Sequence, residues 1–249
     1  MKRIAIMQPT YFPWLGYFDL IAQVDEFVFL DNVQIVRKTA NSFDCRNRIK
    51  TPQGELFLVC PIQKGTHTLH EICFNNTYPD SKQDWRSKHL RSIEMNYKKA
   101  PFFNEVFPLL NELIQQQDVS IATLNISIIK KISLQLGLNT KFILASEMPD
   151  ITGEKDIRLV NMCHQLQANF YLSPKGAHVY IEAHQPSGAF ANSGITLKYQ
   201  NYQPQNYRQL HGNFIPYLSI IDLLFNCGFE QALPIIQQGS QSFLSSSDF

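Results

Sequence analysis

The strongest constraint on the fold is a set of short apolar runs that each end at polar residues. Such runs are typical of strands buried on both faces of a parallel sheet, and they predict strands at residues 4–7, 27–30, 141–145, 169–172 and 195–199. Helix-like patterns separate the first strand from the second and the third from the fourth. Strand, helix and strand in this order predict right-handed βαβ units. The predicted fold class is therefore α/β, with an open, mostly parallel, Rossmann-like sheet.

Two further segments interrupt this alternation. Residues 42–50 and 56–61 flank the turn sequence Thr51-Pro52-Gln53-Gly54 and predict a β-hairpin insertion. Residues from about 79 to 136 predict a mid-chain helical segment. We expect residues 1–238 to form a single α/β domain and the Ser-rich residues 239–249 to form a flexible C-terminal tail.

Composition argues against several classes of protein. The formal net charge of the 249 residues is +1, so we expect no nucleic-acid partner and no basic membrane-surface patch. No run approaches the ~18 apolar residues of a membrane span, and the apolar stretch after Met1 is too short for a signal peptide. Five widely spaced Cys without a C-x-x-C pair fit reduced thiols. These observations predict a cytoplasmic protein.

Motifs for metals and common cofactors are scarce. His67, His70 and Cys73 have a spacing found among metal ligands, but no fourth ligand is evident nearby. The chain has no Walker loop, no G-x-G-x-x-G and no G-x-S-x-G. We predict no metal site, and the sequence leaves the cofactor and the oligomeric state open.

The ends of the predicted strands indicate where a ligand would bind. In an open parallel sheet, ligands bind beyond the carboxyl ends of the strands. Four of the predicted strands end at polar residues, namely Gln8, Asp31, Ser146 and Ser173. Polar side chains on one shared edge predict a small-molecule site there.

The densest signal is the stretch from Gln8 to Tyr17, which joins the first strand to the start of a helix. Unpaired N–H groups at a helix start favour an anion such as phosphate. Gly16 permits a close approach of backbones, and the hydroxyl groups of Tyr11 and Tyr17 suit a sugar or a phosphate. The alternative is a stiff, Pro-rich loop with packed aromatic side chains.

A pair of arginines in the predicted hairpin is a second candidate. Arg46 and Arg48 lie two residues apart, so in a strand both point to one face while Asn47 points to the other. Two guanidinium groups suit a diphosphate, because each can bind two oxygens. The alternative is a solvated hairpin in which Asp44 pairs with an arginine.

Six other residues have two interpretations each. Asp31 is a candidate base or sugar ligand, or a turn cap. Lys155 and Arg158 fall in the first turn of a helix, where they reach a phosphate or form an ordinary surface. Ser173 and Gly176 follow a strand, in an anion-binding turn or an ordinary one. Asp222 lies in an apolar helix and needs a partner, which we expect to be an arginine or a backbone group that it caps; the alternative is a role in the site.

Several blocks of the sequence resemble the WbqC-like family. The string Met-Gln-Pro-Thr-Tyr-Phe-Pro-Trp-Leu-Gly-Tyr at residues 7–17 is similar to the N-terminal signature of that family. Residues 31–34 and 46–49 resemble its next two blocks, and weaker matches follow along nearly the whole chain. The sequence departs from the family pattern at residues 38–40, where a basic-aromatic stretch including Trp is expected.

This resemblance implies a role in the synthesis of O-antigen and related surface polysaccharides. It implies that Asn32 and Asn47 contact the substrate and that Asp31 or His89 manages a proton; His89 lies in a family block. A surface or structural role is the alternative for His89. Our first hypothesis within this context is a transferase whose small-molecule substrate is a nucleotide-linked amino sugar, for example one that carries out acyl or aminoacyl transfer to the amine.

Two rival functions stay open. The start of the chain is weakly similar to nucleotidyltransferases and pantothenate synthetase-like enzymes, but Pro13 and Tyr17 occupy the places of the histidines that hold the phosphates in those enzymes. This chain would then have the topology of such enzymes but would lack their two catalytic histidines. The second rival is a non-catalytic protein that binds a nucleotide sugar or glycan.

Overall fold

The computed structural model describes residues 1–34, 42–63, 68–75, 84–117 and 120–249. The described strands, in chain order, are β1 (Arg3–Met7), β2 (Glu26–Phe29), β3 (Arg46–Thr51), β4 (Gly54–Val59), β5 (Lys141–Leu144), β6 (Phe170–Ser173) and β7 (Thr196–Tyr199). The described α-helices are α1 (Leu15–Ala22), α2 (Trp85–Tyr97), α3 (Phe103–Gln115), α4 (Ile121–Gln135), α5 (Lys155–Gln165), α6 (His178–Ile181) and α7 (Ile220–Gln238).

Five strands form one parallel sheet in the order β5-β2-β1-β6-β7. Met7 lies opposite Phe29, and Phe29 lies opposite Leu144, so these three strands end level with one another. Numbered along the chain, the order is 3-2-1-4-5, which is the start of the classic doubly wound arrangement. The predicted α/β class and open parallel sheet are confirmed.

Helices cover both faces of this sheet because side chains of each strand alternate between the faces. Phe27 and Phe29 pack in a core with α1, α3, α4 and α7, whereas Val28 packs on the opposite face with Leu159 and Met162 of α5. The chain therefore leaves β1 toward one face and β6 toward the other. The sheet changes its winding direction between β1 and β6.

The predicted β-hairpin is confirmed as β3 and β4, which pair from Arg46 opposite Val59 to Thr51 opposite Gly54. The mid-chain segment contains α2, α3 and α4. Residues 79–83 and 118–119 of the predicted helical segment, and the family departure at residues 38–40, lie outside the described residues.

The loop between β1 and α1 is buried, and side chains from distant elements satisfy its backbone carbonyls. The Asn47 amide donates to the carbonyls of Tyr11 and Phe12, at 3.1 and 2.7 Å. The Asn125 amide, on α4, donates to the carbonyl of Pro9 at 3.0 Å and to that of Asp44 at 2.7 Å. Because a buried carbonyl without a donor is costly, these amides join the hairpin and α4 to the sheet.

A buried carboxylate fastens α7 to the rest of the molecule. Asp222 accepts hydrogen bonds from the hydroxyl groups of Tyr97 and Tyr207, both at 2.8 Å. Burial raises the pKa of Asp222, and the two tyrosine hydrogen bonds and the nearby Lys50 ammonium oppose that rise. The expected arginine partner is therefore wrong: two phenols take its place, because each can donate from within an apolar environment.

The C-terminal segment packs against the sheet, whereas the sequence predicted a flexible tail. Leu244 and Tyr199 exchange both backbone hydrogen bonds at 2.9 Å, which extends the open edge of β7. The Ser240 hydroxyl donates to Asp19, and the Phe249 ring stacks on His178 with ring centroids 4.1 Å apart. The segment contains few apolar residues, so its sequence pattern does not predict packing. It is held by edge pairing with β7 and by hydrogen bonds.

His89 lies inside the structure, between the buried loop and the hairpin. Its Nε2 is 3.2 Å from the Val59 carbonyl, so Nε2 carries the proton and Nδ1 accepts from the Tyr11 hydroxyl at 3.0 Å. Burial, reinforced by the Arg86 charge and opposed by the Val59 carbonyl, lowers the pKa of His89 to about 4. This geometry favours a structural role over the predicted acid–base role of His89, and it places Tyr11 in the core.

We expect Asn125→Ala to destabilise the fold by about 2–4 kcal/mol, because two buried carbonyls lose their donor. The matched control is Asn161→Ala, which removes one exposed hydrogen bond to the Thr152 carbonyl and should cost less than about 0.5 kcal/mol. Urea unfolding midpoints of both variants measure the difference. Equal midpoints would show that the loop does not need this amide.

The lowered pKa of His89 predicts a loss of stability in acid. Between pH 6.5 and about 4 the unfolded chain binds a proton that the folded chain does not, so unfolding becomes easier as the pH falls. The shift corresponds to about 3 kcal/mol. In His89→Gln this part of the pH dependence should vanish, whereas His164→Gln, at an exposed histidine of α5, should retain it. Urea titrations from pH 7.5 to 4 test this, and identical slopes for wild type and His89→Gln would contradict it.

Candidate functional site

A cavity of about 350 Å³ lies where the winding of the sheet changes direction, beyond the carboxyl ends of β1 and β6. Its lining comes from the ends of three strands, from the start of α1 and from the segment after β6: Met7, Trp14, Gly16, Tyr17, Pro174, Gly176, Ala177, Tyr180 and Gln200. Of the predicted site residues, Gly16, Tyr17 and Gly176 line this cavity. Doubly wound sheets bind ligands at this position.

Two glycines shape this cavity for different reasons. A Cβ on Gly16 would lie 2.3 Å from the Trp14 ring, so only glycine allows the indole to lie across the first turn of α1. A Cβ on Gly176 would meet nothing within 4 Å, so the absent side chain leaves open space in the cavity. Gln200 closes the floor, because its amide donates to the Gly16 carbonyl at 2.8 Å and to Asp19 at 2.5 Å.

A second cavity, of about 250 Å³, adjoins the first and shares Met7 and Trp14 with it. Its remaining lining comes from the loop after β1, from the hairpin and from the segment before α7: Thr10, Phe43, Asn47, Arg48 and Tyr217. We call the two cavities together the switch-point crevice. In the described part of the chain no carboxylate lines it, and Arg48 supplies positive charge.

Trp14 stands between the two cavities and carries aromatic neighbours. Its ring centroid lies 5.4 Å from that of Tyr202 and 5.4 Å from that of Tyr217. Trp14 is half-buried and Tyr217 is 47% exposed, so both rings offer area to a ligand. Planar or apolar groups pack favourably on such rings.

The two arginines of β3 share a face, as predicted, but have different surroundings. The Arg48 guanidinium lies 2.8 and 2.9 Å from the two oxygens of Glu55, donates to the Tyr217 carbonyl at 3.0 Å, and lines the crevice. The Arg46 guanidinium lies 4.5 Å from the centroid of the Phe57 ring and is not among the lining residues. The predicted alternative partner, Asp44, accepts instead from the Ser42 hydroxyl at 2.7 Å.

Burial disfavours the charged forms of two side chains next to the crevice, Tyr17 and Asp44. Burial raises the pKa of Tyr17, and the charge of the nearby Asp44 raises it further. Burial also raises the pKa of Asp44, against a hydrogen bond from Ser42. The Tyr17 hydroxyl stays neutral and donates to the Gln8 carbonyl at 3.0 Å, which fixes the end of β1.

Asp31, Asn32 and Arg158 form a second cluster on the same edge of the sheet, beyond β2 and β5. The Asp31 carboxylate accepts from the backbone N–H and the hydroxyl of Ser146, at 2.9 and 2.6 Å. The Asn32 amide donates to the Ala145 carbonyl at 3.0 Å, and Arg158 donates to the Asn32 oxygen at 2.7 Å. The structure thus brings these predicted residues together.

Three other predicted site residues are exposed at a helix start or have contacts that support the fold. Lys155 is exposed at the start of α5. Ser173 is fully buried, and its hydroxyl donates to the Pro174 carbonyl at 3.3 Å. Asn47 is buried beneath the loop that it supports, although it reaches the wall of the second cavity.

Several lining residues were missed by sequence reasoning, and three of them show why. Trp14 lies inside the densest motif and was overlooked as a ring for ligand stacking. Gln200 follows a predicted strand, so the rule of strand ends that selected Gln8 and Asp31 applies to it as well. Tyr217 carries no local signal, because only the packing of the segment before α7 brings it to the crevice.

No described helix is long and apolar enough to cross a bilayer. Within the described residues no three His, Cys, Asp or Glu side chains gather in a way that would hold a metal ion. His67, part of the spacing noted in the sequence, lies outside the described residues.

Comparison with known proteins places the chain in a family. The profile of the WbqC-like protein family matches residues 8–233. A relative from Mycobacterium tuberculosis (strain ATCC 25618 / H37Rv), named "Uncharacterized protein Rv1507c", is 35% identical over 235 residues, which cover 92% of this chain and 96% of the relative. No solved structure matches the chain. As its motifs predicted, the chain belongs to the WbqC-like protein family.

Proposed function

We propose that this protein binds a nucleotide-linked amino sugar in the switch-point crevice and transfers an acyl or aminoacyl group to the sugar amine, as a step in surface-polysaccharide synthesis. The observation that carries the proposal is the position of two adjoining cavities at the point where the parallel sheet reverses its winding. Ligand sites of α/β proteins concentrate at this point and have volumes of a few hundred Å³.

The lining of the crevice suits the parts of such a ligand. Trp14 and Tyr217 provide ring faces for a base or a sugar, and the cavity at Gly16 and Gly176 has room for a second ring. Aromatic rings bind flat apolar faces, while nearby amides and hydroxyls bind the polar edges. An elongated ligand would pass Trp14 and occupy both cavities.

Arg48 is the residue that we expect to bind the diphosphate. Its guanidinium lines the crevice, and its side chain is 22% exposed, so its outer donors are accessible. The ion pair with Glu55 orients the group but, being partly solvated, is weak enough to yield to a diphosphate. Charge-assisted, two-oxygen contacts are among the stronger hydrogen bonds in proteins.

In the proposed transfer the amine nitrogen of the sugar attacks the carbonyl carbon of an acyl donor. A new C–N bond forms, the leaving group of the donor departs with the electron pair of the broken bond, and the proton of the nitrogen passes to that leaving group through water. The described residues contribute mainly by positioning the sugar, which is a large part of the rate of such reactions. Asp31 already accepts two hydrogen bonds from Ser146, so its predicted role as the proton acceptor is not favoured by its contacts.

We expect Arg48→Ala to weaken the binding of uridine or thymidine diphosphate by about tenfold or more, because a charged donor to the diphosphate is lost. The matched control is Arg46→Ala, on the same strand and face but against Phe57 and outside the crevice. Calorimetric titration of both variants with nucleoside diphosphates and nucleotide sugars measures the effect. Equal affinities for the two variants would reject Arg48 as the diphosphate residue, and no binding by the wild-type protein would reject the proposed function.

Gly176→Val should block the first cavity without disturbing the fold. The backbone of Gly176 is outside the left-handed region and a Cβ there meets open space, so the side chain can enter the cavity unstrained. We expect an unchanged Tm without ligand and a loss of the ligand-induced rise in Tm. A normal ligand-induced rise would show that the ligand does not use this cavity.

A further inference from the structure

Arg158 has no carboxylate partner for its positive charge among the described residues. The residue is half-buried, and its Nη2 donates to the Asn32 oxygen at 2.7 Å. Its Nε is buried and has no hydrogen-bond acceptor among the described residues. No carboxylate of those residues lies within 4.0 Å of its guanidinium nitrogens.

This situation is unusual for a guanidinium. The group stays charged at all accessible pH values and has five N–H donors, so its burial requires acceptors. The other arginines of low exposure have a carboxylate partner: Arg48 pairs with Glu55, although its Nε is also buried without an acceptor among the described residues. Arg86 lies 3.9 Å from Asp84 and over the rings of Phe74 and Trp85. A guanidinium that no carboxylate of the described residues contacts points to an anion supplied from outside the chain.

The surroundings of Arg158 are built from fixed groups. Asn32 cannot turn away, since its amide donates to the Ala145 carbonyl while its oxygen accepts from Arg158. The neighbouring acids are occupied elsewhere: Asp31 accepts from Ser146, and Asp156 of the same helix accepts from the Ala189 N–H at 2.7 Å. The guanidinium is thus held in place, and its charge is not neutralised by contact.

The position of this cluster relates it to the switch-point crevice. Asn32 follows β2, and β2 is the neighbour of β1 on the side away from β6. Adjacent strands are about 4.8 Å apart, so the cluster lies roughly one strand beyond the crevice on the same edge of the sheet. The first turn of α5, with no side-chain cap at Glu154, also begins on this edge and adds positive potential.

We infer that Arg158, held by Asn32, binds a phosphate-type oxyanion that belongs to a second substrate, distinct from the ligand of the switch-point crevice. The inference rests on the proposed function for its purpose, because a group transfer needs a donor beside the acceptor. An activated donor that carries a phosphoryl group meets this requirement. The crevice and the cluster then bind two substrates side by side on one edge of the sheet.

The test is a calorimetric titration of the protein with pyrophosphate and with inorganic phosphate, in the presence of saturating uridine diphosphate to occupy the crevice. Wild-type protein should bind the added anion, and Arg158→Gln should bind it about tenfold or more weakly. The affinity of Arg158→Gln for uridine diphosphate itself should change less than about twofold. Arg91→Gln, at an exposed arginine of α2, is the control and should behave as wild type in both titrations.

Asn32→Asp provides a second variant in case the first does not fold. It places a carboxylate next to the guanidinium, so it should weaken anion binding while retaining Arg158. Absence of anion binding by the wild-type protein, or wild-type anion affinity in both variants, would overturn the inference. If uridine diphosphate does not bind, the same titrations without it still test Arg158, so failure of the proposed function is distinguishable from failure of this inference.

Discussion

The structure depends on the burial of the loop between β1 and α1, because an irregular backbone inside a core must find a partner for each polar group. The amides of Asn47 and Asn125 supply partners for three carbonyls of this loop, and the Tyr11 N–H donates to the Phe43 carbonyl at 3.0 Å. The loop therefore orders the hairpin and α4 around the end of β1. These bonds hold Phe43 and Asn47, which line the second cavity, against the loop.

The same loop explains why aromatic residues are concentrated at the start of the chain. Tyr11 and Phe12 pack in the core, while Trp14, three residues beyond Tyr11, lies over Gly16 and faces the two cavities. One short sequence thus fills the interior and shapes the binding surface. A motif of this kind is constrained both by packing and by the proposed ligand, and composition alone does not separate the two.

Charge is distributed unevenly around the sheet. The carboxylates of Asp31, Asp44 and Asp222 are buried and bound by hydroxyl or N–H groups, whereas Arg48 and Arg158 direct their guanidinium groups toward the carboxyl edge of the strands. Hydroxyl groups donate hydrogen bonds to these carboxylates, so no lysine or arginine has to pair with them. Arg48 is paired with Glu55, so among the described residues of this edge Arg158 is a guanidinium whose charge no carboxylate contacts.

The amino-acid sequence by itself determined the strands, their buried faces and the polar residues at their ends. It also determined that Arg46 and Arg48 share a face, since local periodicity depends only on neighbouring residues. Glycine at residue 16 was likewise readable as a point of close approach, although the group that approaches it is the Trp14 ring and not a backbone. These features follow from interactions within a few residues, which a single sequence records.

Tertiary structure alone decided which candidates face the crevice. Tyr11 meets His89 across 78 residues and Arg158 meets Asn32 across 126, so neither contact has a local signature. Tertiary packing buries His89 in a structural role and places the Arg46 guanidinium against the Phe57 ring. It also pairs the Ser-rich end of the chain with β7. The physical reason is that periodicity states which side chains share a face, while the packing of whole faces decides what each side chain meets.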